Sequence, residues 1–379
     1  MDSIMTECQK TGGIVLMLER YGHGGDLESA AETYGRSGFL DFSANINPLG
    51  PPPGVMKQLE HALSSIIRYP DPGHRALKEL LGSRLSLRAD QLCIGNGAAE
   101  CMALILLGLQ PRRVGIVEPC FSEYTQLSEQ FGAQVQSVFG TRENGWRADV
   151  AEIEGLFRSV DLLFIGQPNN PNGIQYELDL MRHLAGEAER CGTYLVVDEA
   201  FIDFIPEAKR QTLLPELERY PHTILVRSMT KFYAIPGLRL GYAAAHPDLV
   251  QAMTNKQVTW SVNGLALLAG EACLNCGDSY ERDTIGLITE QRRLLTVGLR
   301  KLGCEVSEGE ANFLLAGLPV PWTAERMQTE MGKRGVLIRS CAMYPGLGEE
   351  YIRVAVKAQE DNKQLLKVMA EVLGIEVDL

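Results

Sequence analysis

From residue 90 onward, short apolar runs alternate with stretches of helical spacing, and this alternation constrains the fold more than any other feature of the chain. The strand-like runs fall at 92–95, 114–117, 135–139, 161–165, 194–198, 223–226 and 240–245; helical patterns fall at 98–109, 122–131, 178–191 and 247–254. The strands are apolar throughout instead of alternating with polar residues, as strands covered on both faces are. The pattern therefore predicts an α/β fold built on a mostly parallel sheet between helical layers. A long helix over 285–302, strand-like runs at 313–316 and 351–356, and a closing helix over 361–373 predict a second, smaller α+β unit. A chain of 379 residues is long enough for both cores. Residues 1–22 are weakly patterned and read as an arm, and there is no internal repeat.

The chemistry-bearing residues sit at the ends of these strands. Lys231 follows the apolar run 223–227, which places it at a strand's carboxyl end, where open α/β sheets bind ligands. Its amine, the hydroxyls of Ser228 and Thr230 and the guanidinium of Arg239 suit pyridoxal 5'-phosphate. The lysine would form a Schiff base with the aldehyde, and the other three would meet the phosphate dianion. Gly95-Asn96-Gly97-Ala98 links a strand to a helix, and its small residues would let a phosphate reach N–H groups at the positive helix end. A plain tight turn would use the same residues. In Pro168-Asn169-Asn170-Pro171-Asn172-Gly173 the prolines stiffen a loop from which Asn170 could face a ring oxygen, although an ordinary Asn-Pro turn looks the same.

Asp198 closes an apolar strand, where an unpaired carboxylate would be costly; a protonated pyridine nitrogen would be its partner. Glu199 and Asp203 read as solvated or helix-end charges. Phe121, after another strand end, could stack on the cofactor ring or pack in the core, and Tyr124 follows one helical turn later. Arg339 and Arg353 lie in apolar strand-like runs, so each requires an anion, either a substrate phosphate or carboxylate or a structural glutamate.

A net charge of −12 argues against a nucleic-acid or anionic-membrane surface. No apolar run is long enough to span a membrane, and 14–18 is too short for a secretory signal, so the expected location is the cytoplasm. The nine scattered cysteines read as reduced thiols, with Cys120 lining core or cleft. Cys273-Leu274-Asn275-Cys276 has no second pair and the histidines lack ligand spacing, so no metal is expected.

Together with His23-Gly24-Gly25, the segment 41–50, Asp198-Glu199-Ala200-Phe201, Trp260-Ser261-Val262-Asn263, Ile338-Arg339-Ser340-Cys341 and Tyr344-Pro345-Gly346-Leu347, these motifs occur in an order that resembles the fold-type I pyridoxal-phosphate enzymes, the aspartate aminotransferase superfamily. Within it the chain is similar to the histidinol-phosphate-aminotransferase-like branch, and there to the threonine-phosphate decarboxylases of cobalamin biosynthesis. The resemblance implies a large domain with a mostly parallel seven-stranded sheet plus a smaller α+β domain. The expected division is an arm and part of the small domain over 1–55, the cofactor-binding domain over 56–279, and the small domain over 280–379. It assigns Lys231 to the Schiff base, Asp198 to the pyridine nitrogen, Asn170 to the ring oxygen, and Ser228, Arg239, Gly97 and Ala98 to the cofactor phosphate. Tyr69 would reach the cofactor phosphate of a partner subunit, which implies a homodimer with shared active sites. His23, Asn45, Arg339 and Arg353 would hold the phosphate of a small phosphorylated amino acid.

The implied reaction is decarboxylation of O-phospho-L-threonine to 1-aminopropan-2-ol O-phosphate. The alternatives are the same reaction on O-phospho-L-serine, which differs by one methyl worth about 1–3 kcal/mol in a pocket, and a histidinol-phosphate-type amino transfer. A DNA-binding regulator built on this fold is disfavoured by the acidic charge and by the lack of a basic helix-turn-helix region. The chain departs from the wider family at Phe201, where a tyrosine donates to the ring oxygen; its loss weakens the case for amino transfer.

Overall fold

A computed structural model describes residues 24–376; the expected arm over 1–22, and His23, lie outside them. The strands in chain order are β1 (Leu40–Asp41), β2 (Leu92–Gly95), β3 (Arg113–Glu118), β4 (Gln134–Phe139), β5 (Leu162–Gly166), β6 (Tyr194–Asp198), β7 (Thr223–Ser228), β8 (Gly241–Ala244), β9 (Glu305–Val306), β10 (Phe313–Gly317), β11 (Val336–Leu337), β12 (Arg339–Ser340) and β13 (Tyr351–Ala355). Seven of them form one sheet in the order β2-β8-β7-β6-β5-β3-β4. Neighbours from β7 to β4 pair in parallel, while β8 is antiparallel to both β7 and β2. The sheet is therefore mostly parallel, as the apolar runs predict.

The absence of alternation has a direct cause. Along β5, Leu162 and Phe164 enter one hydrophobic cluster and Leu163 and Ile165 the other, and β6 and β7 divide in the same way. Both faces are covered, so each position contributes apolar burial, about 1.5–3 kcal/mol for a side chain of this size. Helices Ala98–Leu109 and Pro247–Thr254 supply residues to one cluster; Val150–Phe157, Leu178–Cys191 and Gly264–Leu274 supply the other. Gly264–Leu274 escapes a periodicity search because it is apolar nearly all round, with buried residues on most of its surface.

A four-stranded antiparallel sheet, β12-β13-β10-β9, packs with helices Asp278–Lys301, Ala324–Lys333 and Gln359–Leu373. This matches the expected α+β unit, although its long helix begins at Asp278, a turn and more before the expected start at 285. Asp278 and Glu281 occupy that first turn, where negative charge complements the helix dipole. β1 joins this region by pairing in parallel with β11. No helix among the described residues is long and apolar enough to cross a membrane.

The arrangement gathers the carboxyl ends of β2, β3, β5, β6 and β7 on one rim, and the antiparallel β8 starts from that same rim, with Gly241 opposite both Ser228 and Gly95.

Candidate active site

Ser228 ends β7 and opens a four-residue helix, Met229–Phe232, which is too short to be stable alone. Its hydroxyl lies 2.7 Å from the Thr230 hydroxyl, accepts from the Thr230 N–H at 3.4 Å, and accepts from Lys231 Nζ at 3.1 Å. Burial holds the Lys231 amine below the usual lysine range; the Asp198 charge pulls it back up and Arg239 pushes it down again. The net depression raises the fraction of neutral, nucleophilic amine.

Arg239 lies in the left-handed region (φ 56°) and rests against Gly97, itself at φ 86°. A Cβ on Gly97 would stand 2.6 Å from Arg239 Nη2, so both backbone conformation and space call for glycine. A Cβ on Gly241 would fall 2.6 Å from the Ala98 nitrogen, which shows how closely β8 approaches the first turn of Ala98–Leu109. That helix has no side-chain cap, and its first-turn N–H groups have no partner within it. A phosphate placed there would meet these donors, the helix dipole and Arg239 together.

Asp198 is buried at the end of β6. Its Oδ2 accepts from the Tyr124 hydroxyl at 2.7 Å and its Oδ1 from the Ala200 N–H at 3.0 Å. Burial pushes its carboxyl up, while the Tyr124 bond, the Lys231 charge and the Ala200 N–H draw it back down. Tyr124 is thus a candidate site residue that the sequence reading names beside Phe121 without a role of its own; its only signal is a position one helical turn further on. It stacks on Phe164 at 5.0 Å between centroids and meets the edge of the half-buried Phe121 at 5.8 Å.

Asn170, Arg339 and Arg353 come together from distant parts of the chain, and Asn45 lies two residues beyond Ser43, whose carbonyl Arg353 reaches. Arg339 and Arg353 sit directly opposite each other on β12 and β13, with exposures of 2% and 7%. Like charges so placed repel unless an anion compensates. Arg353 binds only neutral oxygens, donating from Nη1 to Asn170 Oδ1 at 2.6 Å and from Nη2 to the Ser43 carbonyl at 2.8 Å; its Nε has no partner. Asn45 Oδ1 is also buried without a partner. Arg339 Nη2 approaches Met343 Sδ at 3.0 Å. The arginine end connects to the lysine through rings: Arg353 lies over Phe313 (5.5 Å), Phe313 meets the edge of Phe201 (4.9 Å), and Lys231 Nζ lies over Phe201 (5.4 Å).

Tyr69, expected at a partner subunit's cofactor, is 79% exposed and stacks on Trp260 outside the site of its own chain. Other expectations fall elsewhere. Glu199, expected to be solvated, is buried in an ion pair with Arg227 at 2.8 Å, and Thr212 donates to it. Asp203 is partly buried and pairs more loosely with Arg210 and Arg227. The reason is that β6 and β7 run side by side, which sets Glu199 next to Arg227, a residue given no role in the sequence reading. Burial holds the Cys120 thiol well above its usual range, so it is a packing group. None of the eight cysteines within the described residues is in a disulfide, and no cluster among those residues could hold a metal.

The residues present fit pyridoxal phosphate. A cradle at Gly97 that excludes side chains, a depressed lysine amine, a buried carboxylate within its electrostatic reach and an unmatched Arg353 Nε match the phosphate, aldehyde, ring nitrogen and substrate anion in turn.

The aminotransferase class I and II family model matches residues 37–372. Threonine-phosphate decarboxylase of Salmonella typhimurium is 39% identical over 359 residues, covering 93% of this chain and 96% of that protein. The adenosylcobalamin biosynthesis bifunctional protein CobDQ of Leptospira interrogans is 30% identical over 92% of this chain and 41% of its own length. Among solved structures, histidinol-phosphate aminotransferase of Clostridium acetobutylicum superposes with a TM-score of 0.83 at 29% identity, covering 88% of this chain and 99% of that one. By this match and this geometry the chain belongs to the aminotransferase class I and II family, an aspartate-aminotransferase-like fold whose cofactor is pyridoxal 5'-phosphate.

Proposed function

We propose that the enzyme decarboxylates O-phospho-L-threonine to 1-aminopropan-2-ol O-phosphate in cobalamin biosynthesis. The observation that carries a phosphorylated substrate is the buried Arg353, which binds neutral oxygens and has an unmatched Nε, with the buried Arg339 directly opposite it on β12. Decarboxylation over amino transfer is favoured by Phe201, which has no hydroxyl to donate to the ring oxygen, and by the decarboxylase among the relatives.

Bound pyridoxal phosphate supplies an electron sink for the bond broken at the substrate α-carbon. Asp198 would hold positive charge at the ring nitrogen, Asn170 would meet the ring oxygen, Gly97, Ala98, Ser228 and Arg239 would hold the cofactor phosphate, and Phe121 would pack against the ring. Arg339 and Arg353, with Asn45 and His23, would grip the substrate phosphate and leave the α-carboxylate ungripped. Such a grip would decide which bond at the α-carbon is presented for cleavage, and so which reaction follows. Lys231 Nζ, or a water, then returns a proton to the α-carbon.

A cytoplasmic homodimer completes the reading. Ile66 (70% exposed), Ile67 (86%), Val258 (74%) and the Tyr69–Trp260 stack leave apolar surface that a second copy would cover, with Tyr69 reaching the partner's cofactor phosphate. The test is to supply holoenzyme with O-phospho-L-threonine. Carbon dioxide and aminopropanol phosphate are expected; a keto acid with conversion to pyridoxamine phosphate would reject the reading in favour of amino transfer. Competition with O-phospho-L-serine decides the methyl preference.

A further inference from the structure

Residues 42–47 are held at one end by the substrate-binding residues and at the other by the turn that carries Lys231. The Phe42 carbonyl accepts from the Ala355 N–H at 2.9 Å, the Ser43 carbonyl from Arg353 Nη2 at 2.8 Å, and the Asn45 carbonyl from Asn312 Nδ2 at 3.0 Å. Asn47, almost fully buried, donates its backbone N–H to the Lys231 carbonyl at 3.1 Å and its Nδ2 to the Phe232 carbonyl at 2.8 Å. The same amide reaches Tyr280 Oη and Thr284 Oγ1, both at 2.9 Å, on helix Asp278–Lys301. Tyr280 Oη in turn lies within reach of two acceptors for its single proton, the Gly50 carbonyl at 2.7 Å and the Phe232 carbonyl at 3.1 Å. Ser43 and Asn47 are separated by roughly 14 Å of extended chain at most.

We propose that Asn47 is a positioning residue for Lys231, and that the segment 42–47 ties the placement of the reacting amine to the residues that hold the substrate anion. The proposal rests on Lys231 being the reacting amine. A four-residue helix cannot fix a lysine by its own hydrogen bonds. Its amino end is capped by Ser228; at its carboxyl end the Lys231 carbonyl accepts from the Ala234 N–H at 3.3 Å and from Asn47, while the Phe232 carbonyl, which faces Pro236 four residues on with no N–H to offer, depends on Asn47 and Tyr280. Asn47 Oδ1 also accepts from the Leu49 N–H at 3.0 Å, which fixes the amide's orientation and so commits its nitrogen to the lysine turn.

The experiment compares wild-type, Asn47→Ala and Tyr280→Phe proteins, each fully loaded with cofactor. It reads the pH titration of the absorbance of lysine-bound cofactor, together with kcat and KM for O-phospho-L-threonine. For Asn47→Ala the titration midpoint should rise by about half a unit as the lysine turn relaxes toward solvent. Its kcat should fall about tenfold with KM within about twofold. Tyr280→Phe, which removes a single oxygen, should move in the same direction by less, and it decides the matter if Asn47→Ala does not fold. Loaded variants that keep the wild-type midpoint and kcat, with only a lower Tm, overturn the proposal. The titration needs no substrate, so a wrong substrate leaves it intact, whereas a wild-type protein lacking the lysine-bound absorbance would reject the assignment of Lys231 instead.

Discussion

The proposed cofactor end and the proposed substrate end of the candidate site are built on different plans. At the cofactor end, Gly97, Phe121, Asn170, Asp198 and Lys231 each lie within a few residues of a strand's carboxyl end, and a single sheet sets their spacing. At the substrate end, Arg353 finds its partners at Ser43 and Asn170, 310 and 183 residues away in sequence. The first half follows from local motifs on a rigid rim, and the second exists only after two sheets and the segment 42–47 have come together. Cofactor affinity should therefore respond to local changes, and substrate affinity to long-range ones.

Three measurements would break or sharpen this contrast. The largest effect is expected for Lys231→Ala, which should abolish the borohydride-trapped pyridoxyl label and lower turnover by at least about 10⁴-fold. A label found on another lysine would break the cofactor half outright. Next, Arg353→Lys keeps the charge but loses the fork that reaches Asn170 and Ser43 together, so kcat/KM for the phosphorylated substrate should fall on the order of 10²-fold while cofactor affinity stays within a few fold. A comparable loss of cofactor would mean that the two ends are one unit.

The smallest effect concerns pH. The Lys231 amine is held below its usual value of 10.5, so the rate of cofactor uptake by the apoprotein should climb with pH as the amine deprotonates and level off before 10.5. Asp198→Asn removes the carboxylate that raises Lys231, so the plateau should come at lower pH, by under about one unit. Levelling at or above 10.5 in wild type would show a lysine no more buried than one on the surface.

Legibility in the sequence followed the same division. Strand runs without alternation gave the sheet because both faces are covered, yet nothing in them marked β8 as reversed; that follows from pairing, which a single run does not encode. The candidates Lys231, Asp198 and Asn170 stand out in the sequence because each ends or closely follows an apolar run. Tyr124 does not, since its partner Asp198 is 74 residues away, and Glu199 was misread because Arg227 lies on a neighbouring strand. Arg339 and Arg353 were noticed as cations out of place, but their direct opposition needed the register of β12 against β13. Asn47 looked like any loop asparagine until the lysine turn was set beside it.

The reversal of β8 has one more effect. The chain leaves the sheet at Ser228 and returns at Gly241 without crossing to the far edge, so Lys231 and Arg239 share a single turnaround, whereas a parallel crossover would have carried the arginine away on a connecting helix. Tyr233 and Ile235 of this connector are buried in the core, whereas Pro236 and Gly237 are exposed. In this architecture the proposed grip on a ligand could be retuned at the two exposed positions of one short connector, while its buried residues keep it anchored to the scaffold.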